Sequence, residues 1–270
     1  MNNIIVGFDF STGSSTAVDL AIDIANRWHR DLRLVYVKEK DEDDTPIRSE
    51  IERRNQGVAH LLKDIRLEYV IRSGKVSNEL AAQAREDQAV LVVVGTNGMS
   101  GYKKNWIGKN TYSTITDSEV PVLCIREGFN FNKTLERILL PIDSTLTTRQ
   151  KVPMALDFAL TFNAEIDVLG LHSAKGNDVR RIVNDYVDQV DKLLYQKGVA
   201  HTVEFRDVDS DPAELVLNYA DQKNDDLIVI MTEQEKALSD WLLGSSAEQL
   251  LHKSTRPILS IRPEFANASR

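Results

Sequence analysis

The sequence predicts an α/β protein built as two tandem doubly wound parallel five-stranded sheet domains. Two observations carry that expectation. The segment Ile4-Ile5-Val6-Gly7-Phe8-Asp9 returns as Ile138-Leu139-Leu140-Pro141-Ile142-Asp143, 134 residues later. Ile107-Gly108 returns as Leu243-Gly244, and Val120-Pro121-Val122-Leu123-Cys124-Ile125-Arg126 as Arg256-Pro257-Ile258-Leu259-Ser260-Ile261-Arg262, both 136 residues later. A register that drifts by two residues over half a chain marks a duplicated domain, with copies over 1–130 and 135–270. Within each copy, short apolar runs alternate with stretches whose apolar residues recur at helical spacing. That alternation implies parallel strands covered by helices on both faces.

In the first copy, Asn3 to Phe8 is a continuous apolar run suited to a strand buried on both faces. Asp9 to Ser15 reads as a turn into a helix, and Ala17, Val18, Ala21, Ile22, Ile24, Ala25 and Trp28 follow at helical spacing. Leu32 to Val37 is a second strand, and Lys38 to Thr45 a charge-dense loop with a solvated acidic run at Asp41 to Asp44. Ile47, Ile51, Val58, Leu61, Leu62 and Ile65 mark a looser amphipathic helix. Leu67 to Arg72 is a third strand, Asn78 to Arg85 a helix, and Ala89 to Val94 a fourth strand. The stretch from Gly95 to Gly108 leads to a helix from about Lys109 to Thr116 and a fifth strand at Val120 to Arg126. The second copy repeats the order, with strands at Arg137 to Ile142, Ile166 to His172, His201 to Asp207, Asp226 to Met231 and Pro257 to Arg262. Its second helix carries Ile182, Val183, Tyr186, Val187, Val190, Leu193 and Leu194 on one face, a stripe read as core packing.

Each copy, at about 135 residues, can bury its own core. The formal net charge of −8 argues against a nucleic-acid surface, which shows a basic excess. A single cysteine, Cys124, excludes an intrachain disulfide and favours a reducing, cytoplasmic setting. The start of the chain lacks a basic stretch followed by an apolar secretory core, and no run nears the ~20 apolar residues of a membrane helix. The five histidines show no metal-ligand spacing. Neither a phosphate loop ending in Gly-Lys-Ser/Thr nor a dinucleotide glycine triplet after the first strand is present.

In open parallel sheets, ligands lie beyond the carboxyl ends of the strands where the strand order reverses. Two features of the first copy fall there. Asp9 ends the first strand, and the fourth strand is followed by Gly95-Thr96-Asn97-Gly98, nine residues, then Gly108-Lys109-Asn110-Thr111. Glycines permit positive φ and close backbone approach, and the next helix offers unpaired N–H groups to an anion. A capped helix after a surface loop would account for the same residues. Asp9 likewise has a plain alternative role, capping the next helix, as do the hydroxyls of Ser11, Thr12, Ser14 and Ser15.

A strand ending in aspartate, then glycine-x-x-glycine, nine residues and a glycine before the last helix resembles the universal stress protein family. The likeness covers essentially the whole chain, in the tandem form with two such domains, and implies an adenine-nucleotide α-hydrolase-like fold. By that resemblance Asp9 would hold a ribose, the backbone near Val37 would meet adenine, and Gly95, Gly98 and Gly108 with Lys109 and Asn110 would surround phosphates. The fifth strands, Val120 to Arg126 and Pro257 to Arg262, would associate the two halves or two chains, as a pseudo-dimer or a homodimer.

Two departures qualify the likeness. Where nucleotide-binding relatives carry serine or threonine after the last glycine, the first copy has Lys109, a point charge able to meet phosphate beside Lys103 and Lys104. The second copy keeps Asp143, Gly244, Ser245 and Ser246, but Met231 and Gln234 replace the first two glycines and Glu233 and Glu235 add negative charge. The expectation is a stress-response regulatory or sensor protein, with ATP or another adenine nucleotide in the first domain and none in the second. A nucleotide-free dimerisation scaffold is the alternative. No general base or metal site is legible, so an enzyme is not expected, with slow ATP hydrolysis left as a third reading.

Overall fold

The computed structural model of the chain describes residues 3–38, 42–96, 107–126, 135–173, 176–209, 211–232 and 243–263, with backbone alone for 243–245. Gly98, Lys103, Lys104, Glu233, Gln234 and Glu235 lie outside the described residues. The chain divides into two compact units, Met1–Phe129 and Asn130–Arg270.

The first unit runs β1 (Ile4–Gly7), α1 (Thr12–Trp28), β2 (Leu32–Lys38), α2 (Asp44–Val58), a 3-10 turn (Ala59–Leu61), β3 (Leu67–Ser73), α3 (Val76–Glu86), β4 (Leu91–Gly95), α4 (Lys109–Asp117) and β5 (Val122–Ile125). Its strands are parallel in the order β3-β2-β1-β4-β5. The second unit runs β6 (Arg137–Ile142), a 3-10 turn (Thr148–Lys151), α5 (Val152–Phe162), β7 (Glu165–Ser173), α6 (Asn177–Gln196), β8 (His201–Val208), α7 (Pro212–Lys223), β9 (Leu227–Met231), α8 (Leu243–Lys253) and β10 (Ile258–Ile261). Its parallel order, β8-β7-β6-β9-β10, repeats the first. Each is the doubly wound α/β sheet expected from the alternation of apolar runs.

The central strands are covered on both faces. Ile4, Ile5 and Val6 of β1 and Leu91, Val92 and Val93 of β4 are buried, as continuous apolar runs require. Each such side chain contributes roughly 1.5–3 kcal/mol on burial. Helix α1 packs Ala17, Val18, Ala21, Ile22, Ile24 and Ala25 inward and ends at His29, whose left-handed φ of 51° closes it. Val183, Val187, Val190 and Leu194 form the buried stripe of α6, while Tyr186 and Leu193 are half-buried at its edge and Ile182 is exposed.

One local difference from the sequence reading concerns the charged loop after β2. Asp43 caps α2, its Oδ1 accepting from Thr45 N and Thr45 Oγ1, both at 3.0 Å. Asp44 is already helical and pairs with Lys38 at 2.5 Å. Its acidic residues therefore start a helix, because a carboxylate satisfies the first-turn N–H groups that the helix leaves open. Cys124 is buried within β5, and burial pushes its thiol up to about 12, so it is held as an inert thiol.

Candidate functional site

The strand order of the first domain reverses between β1 and β4, and a crevice of about 300 Å³ opens there at the carboxyl ends of the strands. One wall is apolar, with Val35 and Val37 from β2, Val76 and Leu80 from α3 and Val94 from β4. Asp9, Ser11 and Ser14 line it from the β1–α1 turn, and Gly108, Lys109, Asn110, Thr111 and Thr114 from the start of α4.

The turn after β1 is a hydrogen-bonded knot. Asp9 Oδ1 accepts from Ser11 N at 3.1 Å and Ser11 Oγ at 2.5 Å. Asp9 N donates to Ser14 Oγ at 3.3 Å, and Ser14 N to Ser11 Oγ at 3.1 Å, so Ser11 is the cap of α1. Between them Phe10 sits at φ 63°, a left-handed conformation that costs a non-glycine residue about 1–2 kcal/mol. Its ring lies 5.0 Å from Phe8 and from Tyr36, contacts that help to hold it there. Both roles weighed for Asp9 are thus available at once. Oδ1 stabilises the turn, while no donor among the described residues reaches Oδ2, and Asp9 lines the crevice.

Across the crevice, α4 begins without a side-chain cap, because its N-cap is Gly108. Helical geometry leaves the first-turn N–H groups of Lys109, Asn110 and Thr111 without intrahelical acceptors, and the helix dipole adds partial positive charge. Lys109 and Asn110 are exposed. Thr111 is buried, and its hydroxyl donates to Gly95 O at 2.8 Å; Gly108 N donates to Thr96 O at 2.8 Å. These two bonds strap α4 to the end of β4.

The glycines act here through close approach. Gly108 has φ −64°, and neither it nor Gly95 adopts the left-handed region. At Gly95 a Cβ would fall 2.5 Å from Gly13 C, 2.7 Å from Gly13 O and 2.8 Å from Ser14 N. The start of α1 therefore rests directly on the end of β4, which places Ser11 and Asp9 at the crevice. Sequence reasoning missed this Gly13–Gly95 contact. The available signal was the comparison of copies, since Thr147 and Met231 stand at the same two places in the second domain.

The second domain repeats the knot but closes it. Asp143 Oδ1 accepts from Thr145 N at 2.8 Å and Thr145 Oγ1 at 2.5 Å, and Asp143 N donates to Thr148 Oγ1 at 3.2 Å. Asp143 is buried, where Asp9 is partly open. Where α1 carries Ala17, the second copy carries Lys151, 2% exposed, whose Nζ donates to Thr148 Oγ1 at 3.2 Å. Burial pushes this ammonium down to about 8, with the Asp143 carboxylate opposing the shift. The helix start is a 3-10 turn and Met231 is buried at the place of Gly95. A lysine in an otherwise apolar helical stripe was the sequence signal for this cation. Ser246 is buried in α8, while the side chain of Ser245 lies outside the described residues.

Among the described residues no three His, Cys, Asp or Glu side chains are gathered as metal ligands, and no helix is long and apolar enough to cross a membrane.

Fold and crevice define a class: a doubly wound α/β module, present twice, with a polar crevice at the reversal point of the first copy. The chain belongs to the universal stress protein family, whose model matches residues 1–126 and again 134–262. It is 26% identical over 148 residues to universal stress protein YxiE of Bacillus subtilis, covering 46% of this chain and 99% of that protein. Stress response protein NhaX of the same organism is 24% identical over 162 residues, covering 47% of this chain and 98% of that one. A crystal structure of a universal stress protein from Archaeoglobus fulgidus shares the fold over 97% of this chain and 98% of its own, with TM-score 0.77 and 16% identity.

Proposed function

We propose that this tandem universal stress protein is a regulatory binding protein that takes an adenine nucleotide in its first domain and none in its second. The observation that carries the reading is that Asp9 and the uncapped start of α4 line one crevice, with no donor to Asp9 Oδ2 among the described residues. A carboxylate oxygen accepts from ribose hydroxyls, while a helix start with open N–H groups binds phosphate. The apolar wall around Val35 and Val37 suits a base, with the Val37 backbone meeting its edge. Gly95, Gly108, Lys109 and Asn110 form the phosphate side; Gly98 belongs to the same reading but lies outside the described residues. Lys109, exposed at the helix start, supplies a positive charge where relatives supply a hydroxyl.

In the second domain Asp143 is buried and faces Lys151, and Met231 fills the place of Gly95. Those features support a structural or protein-contact role for that half. Heat-denaturing the purified protein and assaying the supernatant for nucleotide, with calorimetric titration of the protein with ATP and AMP, tests the proposal. Bound or titratable nucleotide at one per chain is expected. No nucleotide in either assay from folded protein would leave the nucleotide-free scaffold as the function.

A further inference from the structure

At the amino-terminal ends of the second domain's strands, opposite the crevice end, two carboxyl groups are buried together. Asp167 lies in β7, in register with Leu139 of β6 and Thr202 of β8. It is 0% exposed, and its carboxylate accepts from Arg137 Nη2 at 2.5 Å and from the Thr202 hydroxyl. Asp225 lies between α7 and β9 and is 1% exposed. Its backbone is well used, N donating to Ala220 O at 3.0 Å and O accepting from Arg256 Nε. Its side chain is not: among the described residues no donor reaches either carboxyl oxygen.

The surrounding arginines are engaged elsewhere, although Arg137 Nε is buried without an acceptor among the described residues. Arg137 of β6 serves Asp167 and, at 2.8 Å, Glu165. Arg256 serves Asp221 of α7 and the Asp225 carbonyl. From α7, Tyr219 faces the group, its hydroxyl driven upward by burial and by the carboxylates of Glu204, Asp167 and Asp225. The neighbouring Asp226 is occupied by the N–H groups of Glu136 and Arg137. An ionised carboxylate with no hydrogen bond in such a place is strongly disfavoured. A protonated carboxyl needs only an acceptor for its O–H, and the Asp167 carboxylate is within hydrogen-bonding reach.

Among the described residues the first domain has no such pair at the equivalent positions. Arg33 stands at the position of Asp167 and Ala89 at that of Asp225, and Arg33 pairs with Asp87 at 2.7 Å and Glu68 at 3.0 Å. The second copy has therefore reversed one charge and added a second carboxyl beside it.

We infer that Asp225 and Asp167 hold one proton between them, Asp225 as donor and Asp167 as acceptor, and that this proton is a pH-sensitive latch joining α7, β7 and β9. The latch is independent of any nucleotide. Burial, then the hydrogen bond and charge of Asp167, push the Asp225 carboxyl up to about 8, with Arg137 and Arg256 opposing. A carboxyl raised on folding stabilises the fold fully below its ordinary value near 3.8 and loses that contribution as pH rises to about 8.

Carbon-13 titration of the aspartate carboxyls in the full chain tests this directly. The Asp225 carbon should titrate far above the other aspartates, and titration in the ordinary carboxylate range would overturn the inference. Asp225→Asn keeps a donor toward Asp167 but cannot ionise. Amide exchange of β7 and β9 peptides in the wild-type chain, divided by that in the variant at each pH, should climb by up to about tenfold per pH unit across the window. A ratio that stays constant with pH would also overturn it. Should the variant fail to fold, the wild-type titration still decides.

Discussion

Replacing Gly95 by alanine tests whether the crevice depends on backbone contact between α1 and β4. The added Cβ would sit 2.5 Å from Gly13 C, against a comfortable carbon separation of about 3.5–4.0 Å. All three nearest atoms are backbone, so no side chain can swing aside. The start of α1 must retreat by about 1 Å, and overpacking of that kind costs about 1–3 kcal/mol. Alanine recovers about 0.4–1 kcal/mol by restricting the unfolded chain, leaving a net loss of roughly 1–2 kcal/mol. Gly57 in α2 is the control, since a Cβ there meets nothing within 4 Å. Gly57→Ala should stabilise by about 0.5–1 kcal/mol. Urea denaturation followed by circular dichroism reads both, and amide exchange should place the Gly95→Ala loss in α1 and β4. A Gly95→Ala protein as stable as the wild type would refute the reasoning.

Two other substitutions carry distinct expectations. Asp9→Asn keeps an oxygen for Ser11 but exchanges the free acceptor for a donor, so stability should shift by no more than about 0.5 kcal/mol. Calorimetric affinity for an adenine nucleotide should nevertheless fall about tenfold or more; unchanged affinity would remove Asp9 from the site. Lys151→Met addresses the second domain. An ammonium lowered from 10.5 to about 8 by folding costs roughly 3 kcal/mol at neutral pH. That cost is fully present below about pH 8 and is relieved as pH rises toward 10.5, so wild-type stability should gain over this window relative to the methionine variant. Parallel stability curves for the two proteins across that window would show that burial does not lower the Lys151 ammonium.

Much of the fold was legible because its signals are local. Ile4 to Val6 and Leu91 to Val94 are apolar without interruption, and α6 writes its buried face at helical spacing. Asp9, Gly108, Lys109 and Asn110 were picked out from the strand ends and the glycine spacing, and Val37 from the family resemblance; all line one crevice. What escaped depends on groups far apart in the chain. The Gly13–Gly95 contact joins residues whose closeness no periodicity encodes. Asp225 looks like an ordinary turn aspartate until β7 places Asp167 beside it. Lys151 was readable only by aligning one copy with the other, where it replaces Ala17. The start of α2 was missed for the reverse reason: a dense acidic run resembles solvated loop, although one of its carboxylates is a helix cap.

Gly95 is held from both sides, its carbonyl by the Thr111 hydroxyl and its α-carbon by the backbone of Gly13. The two helix starts that flank the crevice are therefore mechanically geared through one residue. Any anion that draws α4 tighter onto β4 should also slow fraying of α1, and by reciprocity any change that loosens α1 should weaken the anion. The first domain can thereby convert occupancy at one helix end into rigidity along the length of another, without a hinge or a lid.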